Sequence, residues 1–189
     1  MSAFVSTEKS ATPTTNAPTL AGIHVARRFT NPGRHPFEDV KWERRKTVIA
    51  NPDGSTVFAM DGVEVPAEWS QLATDIVVSK YFRKAGVPGT PGHETSVRQV
   101  VHRLAHTIRN AGEQQGGYFA ALEDADAFEA ELAFMLVKQI GAFNSPVWFN
   151  CGLYHEYGIG GSGGSFAVNA STNDVQMTVD SYSRPQVSA

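Results

Sequence analysis

Residues 95–117 read TSVRQVVHRLAHTIRNAGEQQGG. Val97, Val100, Val101, Leu104, Ala105 and Ile108 recur at the three- and four-residue spacing that aligns side chains on one face of a helix. Thr95 or Ser96 stands where an N-cap oxygen is wanted, and Gly112 where a helix can stop. A helix with one apolar stripe draws most of its stability from packing that stripe against other elements. The neighbours of this stretch therefore decide the fold.

On its N-terminal side, PAEWSQLATDIVVSKYFRKAG (residues 66–86) carries Trp69, Leu72, Ala73, Ile76, Val77, Tyr81 and Phe82 at helical spacing. Pro66 suits a first turn and Gly86 a C-terminal stop, which predicts a helix of about five turns. On the other side, DADAFEAELAFMLVKQIGAF (residues 124–143) sets Phe128, Leu132, Met135, Leu136 and Ile140 on one face. Its acidic start and Lys138 near its end both complement a helix dipole. Earlier, KTVIANPDGSTVFAMDGVEVP (residues 46–66) places the turn formers Asn51 to Gly54 between two β-prone runs, a hairpin signal, and Asp61-Gly62 reads as a second turn. Residues 1–20, rich in Ser, Thr, Ala and Pro, predict a disordered tail. Residues 21–152 then form a hairpin and helical subdomain, and residues 153–189 a glycine-rich loop followed by short polar pieces.

A formal charge of −3 leaves no surplus of cations for a nucleic-acid backbone, although a single nucleotide remains an allowed ligand. No run of apolar residues has the length needed to span a bilayer, and the N-terminus lacks a basic start followed by an apolar signal segment. One cysteine cannot form an internal disulfide. A cytoplasmic protein with no membrane and no direct nucleic-acid partner is expected.

Three groups of residues invite a chemical reading. His102 and His106 are four apart on a predicted helix, the spacing at which two imidazoles share a metal. Arg103 stands where the metalloprotease pattern has Glu, and no further Cys or His lies close by, so an ordinary helix face is expected and no metal. GIGGSGGSF (residues 158–166) has the glycines of a phosphate cradle without the Lys-Ser/Thr ending or a following helix, and reads as a flexible loop. In AFNSPVWFNCGL (residues 142–153), Cys151 has no neighbouring base, and Phe149 and Leu153 flank it, so a buried structural thiol is the default. Ser145, just before Pro146, is biased towards extended backbone. Its hydroxyl and nearby amides could meet a phosphate, but the preceding helix would present its unfavourable dipole end there.

The segments WSQLATDIVVSKYFRKAGVP (69–88), SVRQVVHRL (96–104), FNSPVWFNCGLYHEYGI (143–159) and the terminal RPQVSA (184–189) together resemble the N-terminal region of adenosylcobalamin-dependent (class II) ribonucleotide reductases. The resemblance covers roughly residues 20–189, with the segments in the family's order; GGSGGSF departs from the family's loop. It implies a mainly α fragment, a three-helix N-terminal subdomain with a small β-hairpin, leading into the first strand of a ten-stranded α/β barrel that is otherwise absent. It implies thiyl-radical reduction of ribonucleotides with adenosylcobalamin in the complete enzyme. The implied partners are the ribonucleotide, the remainder of the reductase chain and, in the complete enzyme, a second copy. By the same resemblance Ser145 contacts substrate, and Ala189 touches it through its backbone, beside a redox cysteine that would come next. No catalytic residue falls within the chain, which is expected to be inactive alone, whether as a truncation, a split gene or a segment preceding an intein. The alternative expectation is a stand-alone module that binds a nucleotide enzyme.

Overall fold

In the computed structural model, which describes residues 22–114, 116–161, 166–169, 172–177 and 180–183, the Asn51–Gly54 turn closes the expected hairpin. Strand β1 (Trp42–Ala50) pairs antiparallel with β2 (Thr56–Pro66). The expected second turn at Asp61-Gly62 is instead a bulge inside β2. Arg45 pairs with Val63 and Thr47 with Met60, so two residues of β2 oppose Lys46 alone, and Gly62 takes the positive φ of +67° that this requires. Beyond the bulge Val63 and Val65 are completely buried.

The helix expected over 66–86 is much shorter. Pro66 stays paired with Trp42, and Ser70 caps the start of α1 (Gln71–Ile76) by accepting from the Ala73 amide at 3.0 Å. A single π-helical turn, Val77–Tyr81, follows, and the chain turns extended at Phe82. The reason lies in another element: the Tyr81 carbonyl accepts from Arg103, and the Arg83 amide donates to the Glu94 carboxylate. Groups that a longer helix needs for its own ladder are already taken.

Helix α2 (Val97–Gln114) matches its apolar stripe, with Val97, Val100, Val101, Leu104 and Ala105 buried. Ser96 caps it, accepting from the Arg98 amide at 3.0 Å, while the Gln99 side chain reaches back to the Ser96 amide at 3.1 Å. It runs through the buried Gly112 rather than ending there. Helix α3 (Leu122–Val137) packs along α2; Ile140 lies beyond its end and is exposed. The lead-in before the hairpin runs beside α3, where Glu131 accepts from the Phe29 and Thr30 amides, and Phe29 stacks on Phe134 at 5.3 Å. Two short helices follow, α4 (Ser145–Asn150) and α5 (Leu153–Tyr157), and then β3 (Phe166–Val168) pairs antiparallel with β4 (Val175–Met177).

The three-helix, single-hairpin expectation is therefore corrected. The described residues form five α-helical segments and two separate two-stranded antiparallel sheets. Helices of five or six residues carry too few turns to show a period of their own, which is why α4 and α5 do not announce themselves. The core gathers one face of each larger element: Val63 and Val65 from β2, Val78 from the π turn, the α2 stripe, Leu136 and Val137 from α3, and Val147, Trp148 and Cys151 from α4 and its end. Trp69 fixes α3 to this core by donating its indole N–H to the Val137 carbonyl at 2.7 Å. The tail expected at residues 1–20, the glycine-rich positions 162–165 and the chain's end, where the barrel strand is expected, lie outside the described residues. No helix of the described residues is long and apolar enough to cross a membrane.

Candidate functional site

Ser145 opens a helix rather than trailing one. Asn144 is extended (φ −69°, ψ 161°), Pro146 occupies the first turn, where no N–H is required, and the Val147 and Trp148 amides turn back to the Asn144 carbonyl at 3.2 and 3.4 Å. The expectation that Ser145 faces the wrong end of a dipole is corrected by this geometry. Ser145 is exposed, and its Oγ lies 3.1 Å from the hydroxyl of Tyr81. The Tyr81 ring stacks on Trp148 at 5.7 Å and tilts against Phe149 at 5.2 Å. Two hydroxyls thus stand side by side at the surface on an aromatic base.

Beneath them lies a buried guanidinium. Arg103, 0% exposed, donates from Nε to Glu94 Oε1 at 2.8 Å, from Nη1 to the Cys151 carbonyl at 2.6 Å, and from Nη2 to the Trp148 and Tyr81 carbonyls at 2.8 and 3.2 Å. Glu94, also 0% exposed, accepts in addition from the Tyr157 hydroxyl at 2.9 Å and the Arg83 amide at 2.7 Å. The pair is charged and desolvated, and tolerable because its hydrogen bonds are met by neighbours. Burial, with the Glu94 charge beside it, pushes the Tyr157 phenol far above its ordinary range, so it remains a donor. One ion pair therefore ties the π turn, α2, α4 and α5 together, and sets where Ser145 sits.

Gly152 completes the clamp. Its φ of +85° is left-handed, and a Cβ there would stand 2.4 Å from the Arg103 carbonyl oxygen. Only glycine lets the chain leave α4 this close to α2.

Cys151 is 2% exposed within the core. Burial pushes its thiol up to about 11, with Arg103 partly opposing, so it stays protonated and unreactive as a nucleophile. At pH 8 the folded chain is expected to resist iodoacetamide while urea-unfolded chain is alkylated readily; equal rates would overturn the buried assignment. The linkage has a definite sign. The unfolded thiol, near 9.0, loses its proton first, so this group's contribution to stability holds below that pH and is lost as pH rises through about 11.

His102 and His106 stack with ring centroids 4.9 Å apart and face carboxylates: His106 Nδ1 lies 3.0 Å from Glu129, and His102 Nε2 lies 3.4 Å from Glu156. Among the described residues no group of three or more His, Cys, Asp or Glu side chains is placed to hold a metal. Ala189 lies outside the described residues. The sequence reading missed Tyr81 as the neighbour of Ser145, and missed the Arg103–Glu94 pair. The one available signal was an arginine flanking the apolar stripe of α2 in line with Val100 and Thr107, both buried.

A family model described as class II vitamin B12-dependent ribonucleotide reductase matches residues 43–139, from the hairpin to just past α3. A vitamin B12-dependent ribonucleotide reductase of Agrobacterium fabrum is 40% identical over 196 residues, covering 87% of this chain and 15% of the relative. One from Streptomyces coelicolor is 52% identical over 132 residues, covering 69% of this chain and 13% of the relative. One from Rhodopirellula baltica is 40% identical over 171 residues, covering 89% and 16%. The chain thus spans 13 to 16% of the length of these curated relatives. With its hairpin, both long helices and their connections inside the matched region, the chain belongs to the class II, vitamin B12-dependent ribonucleotide reductases.

Proposed function

We propose that this chain supplies the N-terminal, substrate-rim portion of a cytoplasmic enzyme that reduces ribonucleotides to deoxyribonucleotides, with Ser145 as a substrate contact. The observation that carries this reading is the clamp. A buried ion pair fixes the Ser145–Cys151 segment from below and leaves the Ser145 hydroxyl exposed beside that of Tyr81. A hydroxyl so held can donate to a phosphate or sugar oxygen without first being ordered, which lowers the cost of binding. Ala189 is the second proposed contact, through its backbone. The partners in this reading are the remaining reductase sequence and, in the complete enzyme, a second copy.

The cofactor in this reading is adenosylcobalamin, which supplies the radical chemistry when bound. Three cavities among the described residues are each too small to enclose it. Cavities lined by Arg27 and Arg109, by Gly112 and Phe119, and by Lys80 and Phe149 measure about 260, 330 and 450 Å³. That is the low end of what encloses a drug-sized ligand, and a corrin with its nucleotide tail is larger. The lone thiol, Cys151, is buried and protonated. The role proposed for this chain is to bind and orient substrate.

The test joins the chain to the remaining reductase sequence with adenosylcobalamin and follows deoxyribonucleotide formation. Ser145→Ala is expected to raise KM for the ribonucleotide roughly tenfold, the worth of a hydrogen bond to a charged group, with a smaller change in kcat. Ser145→Thr, which keeps the hydroxyl, is expected to recover most of the affinity. An unchanged KM in Ser145→Ala would remove Ser145 from the site, and absence of turnover in the joined enzyme would sink the activity.

A further inference from the structure

Strands β3 and β4 form a sheet of their own, and its two faces differ. In the register Phe166 to Met177, Ala167 to Gln176 and Val168 to Val175, residues directly opposite and residues two apart share a face. Phe166, Val168, Val175 and Met177 therefore stand together on one side, with Ala167 and Gln176 on the other. All four apolar side chains are open to solvent, at 74, 57, 68 and 68% exposure. No residue of β3 or β4 belongs to the core or packs against it. The sheet is nonetheless rooted. Asp180 accepts from the Gly161 amide with both carboxylate oxygens at 3.0 Å and from the Tyr182 amide at 2.6 Å, which ties the chain before β3 to the chain after β4. The Ser183 carbonyl lies 3.0 Å from His155 Nε2, which pins this stem to α5, the helix whose Tyr157 hydroxyl donates to the buried Glu94. The result is an arm with a fixed stem and an apolar face that is uncovered among the described residues.

A lone two-stranded sheet is marginal in water, and a contiguous apolar face on it gains stability by being covered. Four side chains of this size offer on the order of 400 Å², about half of the roughly 800 Å² per partner that a standard association of separate proteins buries. A cover joined through the same polypeptide needs less area, because it does not lose translational freedom on docking. The relatives supply such a cover: this chain spans 13 to 16% of their length, so each carries several times this chain's residues in sequence that the chain lacks. We infer that the β3–β4 sheet is a docking arm whose Phe166, Val168, Val175 and Met177 face packs against an apolar surface of the remaining reductase sequence. This rests on the proposed function only in that the chain works joined to that sequence; Ser145 plays no part in it.

Met177 reports on the cover, because hydrogen peroxide converts an accessible methionine to its sulfoxide and mass spectrometry locates the product. In the 189-residue chain Met177 is expected to oxidise as fast as in the urea-unfolded chain, at every protein concentration. In the chain joined to the remaining reductase sequence it is expected to oxidise roughly tenfold more slowly. Phe166→Asp sets a charge on the docking face and is expected to return Met177 of the joined enzyme to within about twofold of its rate in the separate chain. Melting curves verify that this variant folds, and the comparison without substitution carries the test if it does not. Equal Met177 rates in the separate and joined forms overturn the inference, even in a joined enzyme that turns over. Protection already present in the separate chain and growing with its concentration overturns it in favour of a second copy. Protection of Met177 in a joined enzyme that reduces no ribonucleotide would sink the activity and leave the arm standing.

Discussion

Arg103→Met is expected to lower the stability of the chain by about 3–5 kcal/mol, the usual consequence of removing one member of a buried ion pair. For a chain of this size that corresponds to a fall in Tm of roughly 6–20 °C. The loss has two sources. Glu94, fully buried, would lose its cationic partner and keep only the Tyr157 hydroxyl and the Arg83 amide as donors. The carbonyls of Tyr81, Trp148 and Cys151 would lose their shared donor, and with it the geometry that joins the π turn to α4. Arg103→Met/Glu94→Gln is expected to be less destabilised than the sum of the two single variants, because the orphaned charge is gone. Urea denaturation of the four proteins measures this directly. Strict additivity would mean that the two residues do not act as a pair.

Gly152→Ala is expected to cost about 2–5 kcal/mol, combining a left-handed backbone forced on an L-residue with overpacking against α2. The added Cβ would meet the Arg103 carbonyl oxygen at 2.4 Å and the Arg103 Cβ at 2.8 Å, both parts of a rigid helix. Gly158 provides the comparison. It too has positive φ, +66°, but nothing lies within 4 Å of a Cβ there, so Gly158→Ala is expected to cost only the conformational part, about 1–2 kcal/mol. Similar losses at the two positions, read from thermal melts, would mean that the contact with α2 is not what makes Gly152 necessary.

Much of the scaffold was legible before any coordinates. Helix α2 has enough turns for its valines and Leu104 to repeat, and Thr95 or Ser96 as an N-cap candidate; the structure selects Ser96. The hairpin was legible because Asn51-Pro52-Asp53-Gly54 is turn chemistry between β-prone runs. The helix over 66–86 was overextended because its apolar spacing continues to Phe82 while the backbone does not. Its last turn widens and stops where Arg103 and Glu94 capture the groups of Tyr81 and Arg83. Asp61-Gly62 was ambiguous in principle, since the same dipeptide supplies positive φ to a turn or to a bulge, and only the pairing with β1 distinguishes them. For α4, Pro146 was read only as biasing Ser145 towards extended backbone, whereas in the fold it occupies the first turn of a short helix.

What the sequence alone determined is what local spacing and local chemistry encode: the stripe of α2, the run of α3, the hairpin turn, the buried character of Cys151 and the likeness to a reductase family. What only the tertiary structure decided is how residues far apart in the chain share one set of hydrogen bonds. Arg103 reaches Glu94 nine positions away and Cys151 forty-eight positions away, and Tyr81 meets Ser145 across sixty-four. The physical reason is that a buried charge must be satisfied by whatever donors and acceptors the packed chain brings to it, and no periodicity in the sequence records which ones arrive.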